Sequence, residues 1–300
     1  MSPKNVTGSL FERRWLCQPL RHSLDMEGDP LKALILFGAL LLSTPLYAAQ
    51  LVLELGATAR TWQTEELLKH PDARTIQIPD DVSYKKPMSY RAIPLTSLLT
   101  GVRPDDHLQA VALDGFAAEM SAAPLLNKNG ARAWLAIEDP AAPWPSLEEG
   151  KPSAGPFYLV WTDPQAGHIS PEQWPYAVAS IKRMSAVAER FPALLPAPTL
   201  AKDDPVNKGF ELFQKNCLAC HRLNGAGDAQ FGPDLNIPFN PTEYFSGDFL
   251  KRYIRNPQGL RHWPQGKMPA FSAAVLPDSE LDLLVGYLKH MAGRKQPLSQ

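Results

Sequence analysis

The sequence predicts two domains behind an export signal: an α/β or α+β domain over residues 49–190 and an all-α domain over residues 203–300, joined by a proline-rich connector at 191–202. Three observations predict this. Short β-like runs mix with helical pieces in the first half, and helical spacing of apolar residues dominates the second. Between them, Pro192, Pro196 and Pro198 sit in a stretch with neither period, the mark of a semi-rigid extended connector.

Composition fits this layout. Of 300 residues, 44% are hydrophobic and 20% charged, which excludes wholesale disorder and a polytopic membrane protein. A net charge of −1 lacks the basic excess that nucleic-acid binding needs. The 30 Pro residues rule out a bundle of long helices and favour short elements between fixed turns.

Residues 33–49 carry no charge and end in Pro45, Leu46, Tyr47, Ala48 and Ala49. A short apolar run closed by a helix breaker and small residues predicts a cleavable export signal within residues 1–48, hence a periplasmic protein. Membrane association is expected only if this segment stays uncleaved as an anchor. Glu27 and Asp29 depart from the usual basic leader, Arg13-Arg14 lies too far upstream for a twin-arginine signal, and Met26 rivals Met1 as the start. Cleavage removes Cys17 and leaves 252 residues with two thiols, Cys217 and Cys220.

Those two thiols stand in Cys217-Leu218-Ala219-Cys220-His221, the attachment signature of c-type haem. Two thiols at this spacing can form thioethers with both vinyl groups of one porphyrin, and the next residue lies under the iron. A redox dithiol and half of a zinc site are the rival readings; zinc would want a second Cys/His pair, and no third mature Cys exists. The flanks predict helices. Asp204 caps a helix with Pro205 at its first position, and Val206, Phe210 and Phe213 share one face. Asp278 is the expected cap of a last helix with Leu281, Leu284, Val285 and Leu288 on one face, stopped at Gly293. A short helix from Phe249 to Arg255 ends before Asn256-Pro257.

The second half resembles a class I cytochrome c over Gly209, Phe213, the Cys217 to His221 motif, Gly232-Pro233-Asp234-Leu235, Lys267-Met268-Pro269 and Tyr287. The resemblance implies one covalent haem c with His221 and Met268 as axial ligands. It implies that the Pro233 carbonyl orients His221, and that Gly209 lets the first and last helices cross closely near Leu284 to Tyr287. His262 competes with Met268 for the distal position, while His290 and Met291 are expected to be surface or core residues. Trp263 either hydrogen-bonds a haem propionate or packs, and Arg261 is expected at the surface. His–Met ligation fills both iron positions, so the expected activity is one-electron transfer between redox protein partners rather than catalysis.

In the first half, Leu51-Val52-Leu53, residues 75–78 and residues 157–161 predict strands. Thr64 is the expected start of a capped helix, and residues 95–99 a helical turn. Asp114-Gly115 predicts a hairpin turn. The order of pieces is similar to the sulfite-oxidase-type molybdopterin-binding domain, carried by residues 90–99, 113–119, 134–137 and 155–160. That family holds molybdenum through a Cys thiolate, and residues 49–216 contain none, so molybdopterin is not expected. His70, His107 and His168 stand singly. Three functions follow: an exported electron carrier with a cofactor-free docking or ligand-binding module; a two-centre oxidoreductase whose first domain holds molybdenum or another cofactor and reduces the haem; and a ligand sensor.

Overall fold

A computed structural model describes residues 49–229, 231–260 and 262–296. The expected signal at 1–48, the choice of Met1 or Met26, and Arg261 lie outside the described residues.

The first half is β-rich rather than an even mixture of helix and strand. Strands β1 (Gln50–Glu54) and β2 (Arg60–Gln63) form an antiparallel pair with Leu51 opposite Trp62. Helix α1 (Thr64–Leu68) follows at once. Its cap is Gln63, not Thr64: the Gln63 N–H donates to Glu66 Oε2 at 2.9 Å, while the Thr64 hydroxyl donates to the Ala49 carbonyl. The chain continues through β3 (Arg74–Ile78), β4 (Met88–Pro94), α2 (Leu95–Leu98), β5 (His107–Ala112) and β6 (Ala117–Ser121). Between β5 and β6, Gly115 takes φ +90° and donates to the Ala112 carbonyl at 3.0 Å, closing the turn that Asp114-Gly115 predicts. Then come α3 (Ala122–Leu125), β7 (Arg132–Ile137), β8 (Phe157–Thr162), β9 (Val178–Met184) and α4 (Val187–Arg190).

Among the described residues, nine strands make two sheets, ordered β2-β1-β9-β5-β6 and β3-β4-β7-β8. Among the described residues, β1 and β9 are the one pair of strands that run parallel. The helices here are single turns of four or five residues, too short for the crossover units of an α/β sheet. Strands β7 and β8 are buried on both faces, which explains their unbroken apolar runs Ala133 to Ile137 and Phe157 to Trp161.

The second half is built from α5 (Pro205–Asn216), α6 (Pro241–Tyr244), α7 (Phe249–Arg255), α8 (Pro257–Leu260) and α9 (Asp278–Ala292). Among its described residues the one β feature is an isolated bridge between Leu223 and Ala226. Asp204 caps α5, its carboxylate accepting the Val206 N–H at 2.9 Å. Helix α9 departs from the expected cap: Pro277 is the flanking residue, and Asp278 is already helical, with its charge in the first turn where the helix dipole favours it.

Each half has its own apolar core, and the second core already includes Val187 and Leu194. The connector is therefore anchored rather than merely extended. Residues 192–194 form a 3₁₀ turn, the buried Tyr287 hydroxyl donates to the Leu194 carbonyl at 2.7 Å, and the Ala197 N–H donates to His290 Nε2 at 3.0 Å. Carbonyls in this stretch take partners from α9 and from Asn224.

A polar junction crosses between the halves. Arg190 donates to Glu119 on β6 at 2.6 Å and to Asp228 at 2.9 Å, while Gln109 on β5 donates to both carboxylates. His107 also pairs with Glu119.

Candidate haem-binding site

The first wall of the site is the end of α5. The helix runs to Asn216, and the chain turns through Cys217, Leu218, Ala219 and Cys220, with the His221 N–H returning to the Cys217 carbonyl at 2.8 Å. This tight turn places both sulfurs and the imidazole on one cavity of about 550 Å³. Met268 lies half-buried in the loop after α8 and lines the same cavity, as do Pro233 and Trp263. Tyr244 and Tyr253 from α6 and α7 add an aromatic wall. The size and mainly apolar lining suit a large flat ligand.

His221 is held from two sides. Its Nδ1 lies 2.9 Å from the Pro233 carbonyl, so Nδ1 carries the proton and Nε2 keeps the free lone pair. Gly232 presses on the same ring, and a Cβ there would come within 2.5 Å of Nδ1. Burial holds His221 below its ordinary pKa and so favours the neutral imidazole. Burial, with Glu172 nearby, pushes the Cys217 thiol up to about 12, and burial likewise raises Cys220, so both sulfurs sit as neutral thiols. Two thiols that could form thioethers to a porphyrin, an imidazole with a free Nε2 and a soft Met sulfur suit a covalently held haem, and these residues fit that group.

The loop that carries Pro233 is fixed by buried polar groups. Asp234 accepts the N–H groups of Gly225 at 2.6 Å, Asn236 and Ile237 at 2.8 Å and Asn224 at 3.2 Å. Asn236 donates to Asn224 Oδ1 and to the Met291 carbonyl, and Asn240 donates to Asn236 Oδ1 and to the Leu288 carbonyl. This ladder ties the loop to the Leu288 and Met291 carbonyls near the end of α9. Replacing Asp234 by Asn keeps one acceptor oxygen, removes the charge, and turns an N–H pair toward the Gly225 N–H. The expected loss is about 2 kcal/mol, from charge-assisted hydrogen bonds worth about 1.5–3 kcal/mol each; urea unfolding measures it.

The other expected residues divide. His262 is exposed and is not among the residues lining the cavity, whereas Met268 is. Met291 is buried in the second core, and His290 accepts from the connector. Trp263 stands at the cavity mouth, 55% exposed, with its backbone N–H donating to Gln258 Oε1. In the first half, His70 Nδ1 accepts from Asp72, His107 meets Glu119, and His168 lies against the Ala274 carbonyl.

One lining residue escapes sequence analysis. Glu172 sits in the 3₁₀ turn Pro171–Gln173 of the first half, yet its side chain enters this cavity 3.7 Å from Cys220 Sγ. Ser170-Pro171 with Gln173 signals a capped turn, but nothing local tells which distant surface that turn will meet.

Residues 206–292 match the family model described as Cytochrome c. That match supports a haem-based electron-transfer role for this region and redox proteins as its partners. No curated protein matches the chain.

Proposed function

We propose that the protein is an exported monohaem c-type cytochrome that passes single electrons between redox proteins, with its β-rich half serving as a docking or ligand-binding module beside the haem. In this reading Cys217 and Cys220 form the thioethers, and His221 and Met268 are the axial ligands. Pro233 fixes the His221 tautomer, and Trp263 borders the opening. The haem, when bound, supplies a one-electron couple with little rearrangement, because both axial positions are filled by the protein. The single observation that carries the reading is the convergence of Cys217, Cys220, His221 and Met268 on one apolar cavity with His221 Nδ1 already engaged.

The first half closes part of the cavity through Glu172, and Phe116 on its hairpin packs against Phe231 with ring centroids 6.0 Å apart. Electrons would therefore enter and leave where the described cavity wall is open, near Trp263 and Tyr244, both more than half exposed. The sequence similarity of the first half to a sulfite-oxidase-type domain is consistent with a scaffold that keeps a binding surface without a metal thiolate.

The test is covalent haem. The full chain, matured in an exporting host, is expected to keep haem through denaturing electrophoresis and to give a reduced-minus-oxidised spectrum of c type. Changing both Cys217 and Cys220 to Ser is expected to abolish the covalent band. Met268→Ala is expected to retain it while altering the ferric spectrum through loss of sulfur ligation. A wild-type chain that matures with two free thiols overturns the reading.

A further inference from the structure

Glu172 is a buried carboxyl at the thioether side of the cavity, and it belongs to the half of the chain that does not carry the haem motif. It is 8% exposed, and among the described residues its hydrogen-bond partner is Cys220 Sγ at 3.7 Å; no cation forms an ion pair with it. Hydrogen bonds hold its turn in place. The Ser170 N–H donates to Gln173 Oε1 at 3.1 Å, and Trp161 Nε1 donates to the Gln173 carbonyl at 2.8 Å. Lys215 at the end of α5 donates to the His168 carbonyl and pins the neighbouring segment to that helix.

The titratable and charged groups around it offer little compensation. Cys217, Cys220 and His221 face the cavity from the α5 turn. Asp114 and Tyr176 of the first half also lie near Cys220 and bring no positive charge. Lys215 is spent on the His168 carbonyl, and Lys267 lines the cavity from the Met268 loop, where it is exposed to water. Burial accordingly pushes Glu172 up to about 7, against the opposing hydrogen bond from Cys220.

Haem attachment removes even that effect. When a thiol adds to a vinyl group, the S–H bond breaks, an S–C bond forms, and the hydrogen ends on the terminal vinyl carbon with no net oxidation. Cys220 then has no proton to donate, so Glu172 loses its donor. What remains is a buried carboxyl on the wall of the cavity that His221 also lines, where the positive charge of bound iron would favour its ionised form. One electron from a redox partner removes one unit of that charge.

We propose that Glu172 takes up a proton when the haem is reduced and releases it on oxidation, so that the β-rich half makes the reduction potential depend on pH. The balance is one electron from the partner protein and one proton from solvent, giving ferrous iron and a neutral carboxyl from ferric iron and a carboxylate. The proposal rests on the haem reading above and goes beyond it, since it assigns a working residue to the first half.

The experiment is a spectroelectrochemical titration of the holoprotein from pH 5 to 9 in wild type, Glu172→Gln and Glu172→Asp. Wild type is expected to become harder to reduce as pH rises through neutrality. At a fixed applied potential its ratio of reduced to oxidised haem should fall by up to tenfold per pH unit, which is about 59 mV for one electron. Glu172→Gln, neutral throughout, should flatten the curve and match the acidic limit of wild type, while Glu172→Asp should keep a slope with a displaced midpoint. A flat wild-type curve, or a slope unchanged in Glu172→Gln, overturns the proposal while leaving the haem reading intact. Should the Gln variant fail to take haem, Glu172→Ala carries the same comparison. Absence of a c-type spectrum in wild type would instead strike the haem reading itself.

Discussion

Gly209→Ala is expected to destabilise the second half by about 3 kcal/mol, while the same change at Gly286 is expected to stabilise it by up to about 1 kcal/mol. Both glycines are interior to helices, so propensity alone predicts a gain at each. The difference lies in what a methyl group meets. At Gly209 on α5 it would overlap the Leu283 carbonyl oxygen and come within 2.6 Å of Tyr287 Cβ, both on α9. Neither is the free end of a flexible side chain, so the helices must part. Parting them disturbs Phe210 and Phe213, whose rings pack on Tyr287 at 5.6 and 5.4 Å, and loosens the helix that ends at the haem motif. At Gly286 nothing lies within 4 Å of the added carbon. Thermal unfolding of the two variants checks the pair; equal shifts would mean that α5 and α9 do not cross as closely as described.

The features that were legible in the sequence are those decided locally. Asp204-Pro205 satisfies a helix start from within its own turn, Asp114-Gly115 supplies the positive φ its hairpin needs, and the Cys217 to His221 spacing brings three donors together within one turn. Gly209 and Pro233 were legible through the family resemblance, because their roles depend on partners far along the chain. What escaped depends on long-range pairing with no local trace. The parallel registry of β1 with β9, and the split into two sheets, follow from which strands find each other late in the chain. The first half reads as mixed because one-turn helices such as Leu95–Leu98 look in sequence like the starts of longer ones. Asp278 reads as a cap because Pro277 has no side-chain acceptor, yet the helix starts there without one. Asn224, Asn236 and Asn240 look like ordinary loop residues until their partners on α9 are known.

Arg190→Met is expected to cost about 3–5 kcal/mol, the range for removing one partner of a buried ion pair and leaving the other uncompensated. The orphan is Glu119, whose side chain is 3% exposed; Asp228, at 44%, can turn to water. Gln109 and His107 remain beside Glu119, but neither supplies a permanent charge. Burial alone would raise the Glu119 pKa; its hydrogen bonds with His107 and Arg190 outweigh that and hold it below the ordinary 4.5. A carboxyl whose pKa is lower folded than unfolded stabilises the fold above the unfolded value and stops doing so as pH falls through the folded one. Wild type is therefore expected to lose stability as pH drops below about 4.5, in part through this group, and the double variant Arg190→Met with Glu119→Gln to lose less over the same interval. The double variant should also recover part of the neutral-pH loss, because it removes the stranded charge rather than the pair alone. Urea unfolding at pH 7 and pH 4 measures both effects. A cost under about 1 kcal/mol at pH 7, the value of an exposed pair, would mean that the junction is solvated and does not tie the two halves together.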